Sequence, residues 1–516
     1  MKDLGIGIDF GTTNSIVALW GQTAAKIRRE QGQPIRPVPI WADDSQTGLR
    51  PHPSVVWYKP DDTVVVGHEA RKRMEALSDT LGHHFVRSIK RSLLSTELIH
   101  GGRRHQPFEI AAEIFRHLHR QAQSHPILHG HDFKECVVTI PVGFSGRHRR
   151  EIRRSMERAG LKLQTFVHEP FAAMVSHFYD MATKLSAIRG KRVLVFDWGG
   201  GTLDVCLAEG SQDGATVYEL AHDGIADHAG DDFDRRIMAE LRGRFLEKNP
   251  DLSVDDITNR CRAQDRFWLA AERGKIELSD PHTTNVRMRV PSFLDGSPPL
   301  DLSEVLKRDE FEDMIQQEVE AAIACTLRCL DRARLRPSSV DYVLLVGGTS
   351  QIPLVKRRLE ELFGAKVQVT EEPDAAIAKG AAIIAAEGWK AVNAVTIGCM
   401  MAQETFFPLL ERGESLVAAS SKNYVFYCTD PRDGTANFIF CRQPIEGDSA
   451  LEQFGTILQV PVQNERPAEY RDLDRLIVRA SVTEDATLMV DVTHTGRGDH
   501  AQQEIADIAF GLQLTP

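Results

Sequence analysis

Two short stretches of the chain carry residue types able to handle a charged phosphate. Asp9 ends the apolar run LGIGID and is followed by Gly11, Thr12 and Thr13; Asp197 ends VLVFD and is followed by Gly199, Gly200, Gly201 and Thr202. Glycine removes the Cβ that would keep an anion away from the backbone, and a turn aims successive amides and hydroxyls at one point. An aspartate at the strand end suits a hydrated Mg²⁺ bridging phosphate oxygens. One glycine hairpin alone is an ordinary turn. Two with matched aspartates, joined by a third glycine turn in VGGTS (346–350), predict a clamp on both flanks of a polyphosphate. No GxxxxGK[ST] occurs and no GxGxxG follows a strand, so the phosphates are not expected on a P-loop or a dinucleotide fingerprint.

The elements around these turns repeat. Apolar strand, aspartate, Gly/Thr turn and second strand appear at the amino terminus and again at 191–208, which predicts a duplicated half-fold with each half presenting one turn to a shared cleft. Residues 67–95 and 107–124 read as amphipathic helices, 136–142 as a strand, and 145–160 as a helix ending at Gly160. Six arginines between 147 and 158 fall around the polar face of that last helix, opposite Ile152, Met156 and Ala159, and are read as solvated. Residues 229–330 read as mainly helical, with strand character at 284–290 and a Pro/Gly/Ser break at 291–299. Then 341–364 gives strand, glycine turn and helix, and 373–386 a small-residue helix able to pack tightly. Beyond about 388, runs such as NYVFYCT, NFIFCRQ, TILQVPVQ, LIVRASV and TLMVDVTH, separated by Asp/Gly/Pro turns, predict an all-β sandwich.

Composition agrees with several soluble globular domains. The chain has 516 residues, 42% hydrophobic and 26% charged, enough to bury large cores. With 62 Lys+Arg against 73 Asp+Glu the formal charge is −11, so neither nucleic acid nor an anionic membrane is an expected partner. The opening MKDLGIGIDFGTTN lacks the apolar stretch of a signal peptide and no apolar run reaches membrane-spanning length, which predicts a cytoplasmic protein. Eight cysteines without a CxxC read as reduced core thiols. Cys325 and Cys329 share one helical face as packing residues, and His83, His84, His117 and His119 read as surface side chains.

Taken together, GIDFGTTNS (7–15), VTIPVGF (138–144), HEPFAA (168–173), FDWGGGTLDV (196–205), GDDFD (230–234), ERGKIELS (272–279), VLLVGGTSQIPLV (343–355) and EPDAAIAKGAA (372–382) resemble the 70-kDa heat-shock chaperone family of the actin-like ATPase superfamily. The resemblance covers 1–388 strongly and the remainder more weakly. It implies an α/β, two-lobed actin-like ATPase fold with duplicated ribonuclease-H-like halves over 1–388, then a β-sandwich of the peptide-binding kind over 389–516. It also implies ATP or ADP with Mg²⁺ as ligands and an unfolded or extended polypeptide as client.

Residue by residue, the resemblance implies phosphate loops at Gly11, Thr12 and Thr13 and at Gly199, Gly200, Gly201 and Thr202. Asp9 and Asp197 match the aspartates that hold Mg²⁺ through its waters, and Glu169 the carboxylate across the attacking water. Gly230, Glu272, Lys275, Ser279, Gly347, Gly348, Ser350 and Asp374 match the adenosine site. Pro141 and Arg149 match the pair that relays nucleotide state to the second domain.

The sequence also departs from the family. Arg71, with Lys72 beyond it, stands where a phosphate-contacting lysine is usual; arginine keeps the charge but is a planar fork on a longer stem. The adenine-stacking arginine is Gln351 here, and the acidic, leucine-rich linker is replaced by EGWKAVNAVTIGCM. Thr165 and His168 replace the arginine and asparagine used with J-domain partners, so J-domain and exchange partners are not expected to bind as usual. The chain ends where the helical lid would start. The expected function is an ATP-hydrolysing chaperone whose nucleotide state gates polypeptide binding. The alternative is a nucleotide-binding regulator or scaffold with weak turnover. A sugar kinase would need an aspartate base where Glu169 stands, and a filament former would have no β-sandwich.

Overall fold

The computed structural model describes residues 1–44, 48–77, 84–100, 103–128, 133–261, 263–296, 298–370, 372–417, 421–428, 434–443, 451–462, 475–496 and 498–514. They form two compact units. The first comprises Met1–Gly143, Glu151–Ala208 and Ala221–Glu387; the second comprises Phe144–Arg150, Glu209–Leu220 and Gly388–Pro516.

In the first unit one sheet orders its strands Lys162–His168, Glu135–Ile140, Gly5–Asp9, Asn14–Trp20 and Val38–Ile40. A second repeats that order with Val367–Val369, Tyr342–Val346, Arg192–Trp198, Leu203–Gly210 and Thr216–Ile225. Each half thus has a middle strand, with Asp9 as its last residue or Asp197 as its last but one, flanked by a parallel neighbour on one side and its hairpin partner on the other. The duplication read from the sequence is present.

The helix Ala376–Glu387 is buried along its whole length, as its small residues require. A Cβ on Gly7 would lie 2.2 Å from Ala382 N, and one on Gly380 would lie 1.7 Å from Ala172 O. Backbone therefore packs on backbone here, and the helix locks the Gly5–Asp9 strand to the helix Glu169–Phe178.

Four readings need correction. The stretch 67–95 is not one helix: His68–Leu77 is helical, His84–Arg87 is a strand, and Ile89–Ser92 is a short 3₁₀ turn. Phe85 pairs with Trp57 on the strand Val55–Tyr58, a tertiary contact that overrides local periodicity. Pro291 does not break the chain, because the strand Asn285–Leu294 runs past it and pairs with Leu300–Lys307, with the register shifting between Val290 and Leu294. Such an irregularity is where a ladder tolerates proline.

The histidines are also less exposed than read. His117 Nε2 lies 3.0 Å from His52 Nδ1 and His119 Nε2 lies 3.1 Å from Phe133 O, while His84 is half-buried and His83 lies outside the described residues. Finally, Arg149 leaves the solvated face of the helix Gly146–Arg158 and is 1% exposed. Its neighbours Arg153 and Arg154 pair with Glu157 and Glu151. All eight cysteines are free thiols, with Cys325 and Cys329 buried.

The second unit contains two antiparallel sheets. One orders Phe406–Leu410, Thr396–Met400, Thr435–Gln443 and Glu452–Gln453, with Leu458–Pro461 also on Thr435–Gln443. The other orders Lys422–Tyr427, Arg475–Val482, Leu488–His494 and His500–Ile505. Burial alternates along Arg475–Val482 and Leu488–His494, as strands with one face in a core require. Phe407 sits 4.9 Å from Phe426, and Phe426 sits 6.1 Å from Phe438, joining the sheets. The strand Phe510–Gln513 pairs with Lys390–Asn393 and, through Gly511–Gln513, with Thr216–Tyr218. No helix among the described residues is long and apolar enough to cross a membrane.

Candidate nucleotide site

The two glycine turns meet. A Cβ added to Gly200 would lie 2.1 Å from Thr13 Oγ1, and one added to Gly201 would lie 2.4 Å from Thr12 Oγ1. Only glycine lets the hydroxyls of the first turn approach the backbone of the second this closely. Each turn is braced from outside. Gly11 N donates to Ser15 Oγ at 3.2 Å, and Ser54 Oγ donates to Gly11 O at 2.9 Å. Gly199 N donates to Thr202 O at 3.0 Å, closing the second hairpin.

The helix Gly230–Lys248 starts beside both turns. Its first residues donate backbone N–H groups from Gly230 to Gly199 O at 3.2 Å and from Asp231 to Gly200 O at 2.8 Å. Asp231 in turn accepts from Thr13 Oγ1 at 3.3 Å and from Ser88 Oγ at 2.9 Å. One residue thereby gathers the first glycine turn and the turn that carries Lys90 through its carboxylate, and the second glycine turn through its backbone N–H.

Behind the loops lies a cluster of buried charge. Glu169 accepts from Lys90 Nζ at 2.6 Å, and both are about 5–6% exposed. Burial and the charge of Glu169 push Asp9 up to about 7. Burial, then Glu169, Asp204 and Asp9, push Asp197 well above the usual carboxylate range. Asp204 is pushed up to about 6 by burial and Glu169, although Thr202 Oγ1 donates to it at 2.8 Å and Val142 N at 3.0 Å. Burial alone would lower Lys90, but Glu169 and Asp9 outweigh it and hold its proton more tightly than usual.

Four carboxylates thus face one ammonium, a surplus of negative charge that a divalent cation would relieve. No group of three His, Cys, Asp or Glu among the described residues is arranged to hold an ion directly.

Several residues expected around adenosine bond to one another. Lys275 Nζ donates to Gly230 O at 2.8 Å and pairs with Asp234 at 2.8 Å. Burial, opposed by Lys275, pushes Asp234 up to about 7. Ser279 Oγ donates to Lys275 O at 2.9 Å, and Ser350 Oγ donates to Gly347 O at 2.7 Å. Gly347 adopts φ +80°, and a Cβ on it would lie 2.7 Å from Asp197 Oδ1, so the third glycine turn abuts the second half's aspartate. Gly348 faces open space. Asp374 is close enough for its charge to be felt at Asp9.

Arg71 is not brought to the carboxylate cluster. Its guanidinium pairs with Glu272, and its Cζ lies 6.0 Å from the Trp268 ring. In the first unit Pro141 precedes the Val142 amide that binds Asp204. In the second, Arg149 donates to the carbonyls of Phe144, Asp485, Ala486 and Ala506 at 2.7–3.4 Å.

Sequence reasoning missed Lys90, Asp204, Thr349 and Asp231. Thr349 Oγ1 donates to Gly199 O at 2.8 Å. For Asp204 a signal existed, since it lies two positions after Thr202, at the start of the strand Leu203–Gly210.

The family model described as "Hsp70 protein" matches residues 5–397, spanning both glycine turns and the carboxylate cluster. The chain belongs to the Hsp70 family. Curated relatives of this Hsp70 chain each bear the name "Chaperone protein DnaK". That of Mycoplasmopsis agalactiae is 29% identical over 459 residues, covering 87% of this chain and 71% of the relative. That of Thermotoga neapolitana is 30% identical over 434 residues, covering 82% and 67%. That of Thermosipho melanesiensis is 28% identical over 516 residues, covering 96% and 79%. As an Hsp70, the chain joins an actin-like ATPase fold to a β-sandwich.

Proposed function

We propose that this Hsp70 is a chaperone that binds and slowly hydrolyses ATP with Mg²⁺, with residues 1–388 as its ATPase domain and 389–516 as its polypeptide-binding domain. In this reading the nucleotide state sets the affinity of the β-sandwich for an extended polypeptide. The observation that carries it is the meeting of Thr12 and Thr13 with Gly200 and Gly201 in front of Asp9, Asp197 and Glu169. The name "Chaperone protein DnaK" borne by relatives covering most of the chain supports the client class.

The chemistry asked of these residues is positioning and charge stabilisation, which dominate phosphoryl transfer to water. Bound Mg²⁺ would spread the charge developing on the phosphate oxygens. Asp9 and Asp197 would hold that ion through its waters. The Thr202 hydroxyl donates its hydrogen bond to Asp204, which leaves its oxygen as an acceptor for the nucleophilic water. Glu169 faces that water from the other side with its charge steadied by Lys90. Glu272, Lys275, Ser279, Gly230, Gly347, Gly348, Ser350 and Asp374 frame the nucleoside, and Pro141 and Arg149 carry the nucleotide state onward.

Single-turnover ATP hydrolysis with and without an unstructured peptide tests this. A peptide-dependent rate is expected. The same low rate with and without peptide favours the second reading, a nucleotide-binding regulator with weak turnover, which the engagement of Arg71 by Glu272 supports.

A further inference from the structure

The pair of histidines in contact at 3.0 Å is tied through a few bonds to the first glycine turn. We propose that His52 and His117 are positioning residues for the nucleotide site: while neutral they hold the segment 51–54 against Gly11, and when charged they release it and loosen the grip on the nucleotide. This rests on the nucleotide-site reading above and adds a proton-dependent control of its first turn.

Geometry carries the inference. His52 and Pro53 form a short strand paired with Ser15 and Asn14, which brings the next residue, Ser54, to the turn. Ser54 N donates to Thr13 O at 2.8 Å. Gly11 O can only accept, so the Ser54 hydroxyl donates to it at 2.9 Å, Ser15 Oγ donates to Ser54 Oγ at 2.9 Å, and Gly11 N donates to Ser15 Oγ at 3.2 Å. The ring closes on Gly11 through both its N–H and its C=O. Ser15, His52 and Ser54 are all buried.

The histidines hold this segment from the other end. Ile40 O cannot donate, so His52 carries its proton on Nε2, 3.0 Å from that carbonyl, and its Nδ1 is left to accept from His117 Nε2 at 3.0 Å. His117 comes from the helix Pro107–Gln123, and a Cβ on Gly67, at φ +85°, would lie 3.0 Å from its Nε2, so the ring is walled in on that side. His68, which opens the helix His68–Leu77, donates through Nε2 to Pro51 O at 3.1 Å. Two helices and the strand Val38–Ile40 thus converge on residues 51 and 52. A proton added at His52 Nδ1 turns the acceptor into a donor facing the His117 N–H, and the pair keeps its bond only by moving the charge onto His117.

The surroundings resist that charge. Burial lowers His52 to about 4 and His117 to about 3; His68 acts on both in the same direction, and Arg120 on His117. On the two helices Glu69, Arg71 and Glu113 pair with Arg73, Glu272 and Arg116. The strands Asn14–Trp20, Val38–Ile40, Val55–Tyr58 and Val64–Val66 carry Tyr58 as their titratable side chain, kept neutral by burial. Rings released to water regain the ordinary value of about 6.5. The released form then binds more protons, so the hold weakens as pH falls from about 6.5 towards 4, by about tenfold per histidine between pH 7.5 and 5.5. That is opposite in sign to what the raised Asp9 and Asp204 contribute to stability.

Hydrogen exchange on the full-length, nucleotide-free chain tests the hold without depending on the nucleotide. Corrected for intrinsic rate, protection of the Gly11 and Ser54 amides should fall about tenfold or more from pH 7.5 to 5.5 in wild type. It should change less than about threefold in the double variant His52→Gln, His117→Gln, because a side-chain amide offers a donor and an acceptor but takes no proton. Mg-ADP affinity should fall about tenfold further in wild type than in the variant over the same range, since the carboxylates are common to both. If the double variant fails to fold, titration of the wild-type imidazole resonances serves: at least two should stay neutral at pH 5.5 while the exposed histidines charge. Wild-type protection indifferent to pH, an equal fall in the variant, or fewer than two neutral imidazoles at pH 5.5 overturns the assignment and leaves the nucleotide site standing. Wild-type protein that binds neither nucleotide at any pH overturns the site itself.

Discussion

Thr12 and Gly201 stand so close that a single added carbon on Gly201 would fall 2.4 Å from the Thr12 hydroxyl oxygen. These residues come from opposite halves of a duplicated fold and from strands that never pair. Their approach is what makes one site out of two turns.

It follows that Gly201→Ala, and likewise Gly200→Ala against Thr13, must push the turns apart. Overpacking of this kind costs about 1–3 kcal/mol, and a displacement of about 1 Å at a positioned phosphate costs on the order of a hundredfold in rate. Calorimetric titration should show Mg-ADP affinity reduced at least tenfold in a chain that still folds. Unchanged affinity would mean the contact has no part in binding.

In the proposed mechanism Thr202 and Asp204 act on the water rather than on the nucleotide's anchorage. Thr202→Ala and Asp204→Asn should each lower single-turnover hydrolysis by on the order of 10²-fold, the cost typical of one lost donor or acceptor at a reacting centre, with a smaller effect on ADP binding. The comparison of rate and affinity in the same preparation decides it: a matched loss in both would make these residues anchors.

The charge cluster sets a pH dependence. Asp9 at about 7 and Asp204 at about 6 lie above the ordinary carboxylate value of about 4. Below about 4 both folded and unfolded chains hold these protons. Between about 4 and 7 the folded chain keeps protons that the unfolded one has lost, so stability from these groups falls as pH rises. Binding of Mg²⁺ with nucleotide requires the charged forms and should expel the protons. Apparent Mg-ADP affinity should therefore rise from pH 5.5 to 7.5, with proton release seen as a dependence of titration heat on buffer ionisation. Proton uptake over that range would contradict the assignment of the raised groups.

Arg149 makes a prediction about the second unit alone. Four carbonyls receive its donors, burial lowers it to about 10, and the charges of Asp485 and Glu504 oppose that shift. Arg149→Ala would leave those carbonyls, of which the Asp485 and Ala486 ones are buried, without that partner, at about 1–3 kcal/mol for each buried one left unsatisfied. Urea unfolding followed by a probe in 389–516 should shift to a lower midpoint by several kcal/mol. Arg153→Ala, whose partner Glu157 is exposed, should shift it by less than about 1 kcal/mol.

Much of this was legible because it is local. Asp9 and Asp197 sit at strand ends followed by Gly/Thr turns, and both the duplicated strand order and the small-residue helix follow from patterns within a few residues. Lys90 was not legible. Nothing in SIKRS marks Ser88 as left-handed or sends the following lysine inward, since both depend on Asp231 far along the chain. Arg149 hid among five other arginines at helical spacing, and its burial against the carbonyls of Asp485, Ala486 and Ala506 distinguishes it. The segments 144–150 and 209–220 join the second unit through such long-range contacts, including the pairing of Thr216–Tyr218 with Gly511–Gln513, which no linear boundary near 388 could express.

The most direct measurement is calorimetric titration of the full-length chain with Mg-ATP and Mg-ADP, in wild type and in Asp197→Ala. One saturable site is expected for each nucleotide in the wild type, with the heat for both diminished in the variant. Absence of heat with either nucleotide in the wild type, or curves that the Asp197 change leaves untouched, would contradict a single magnesium–nucleotide site built from both halves.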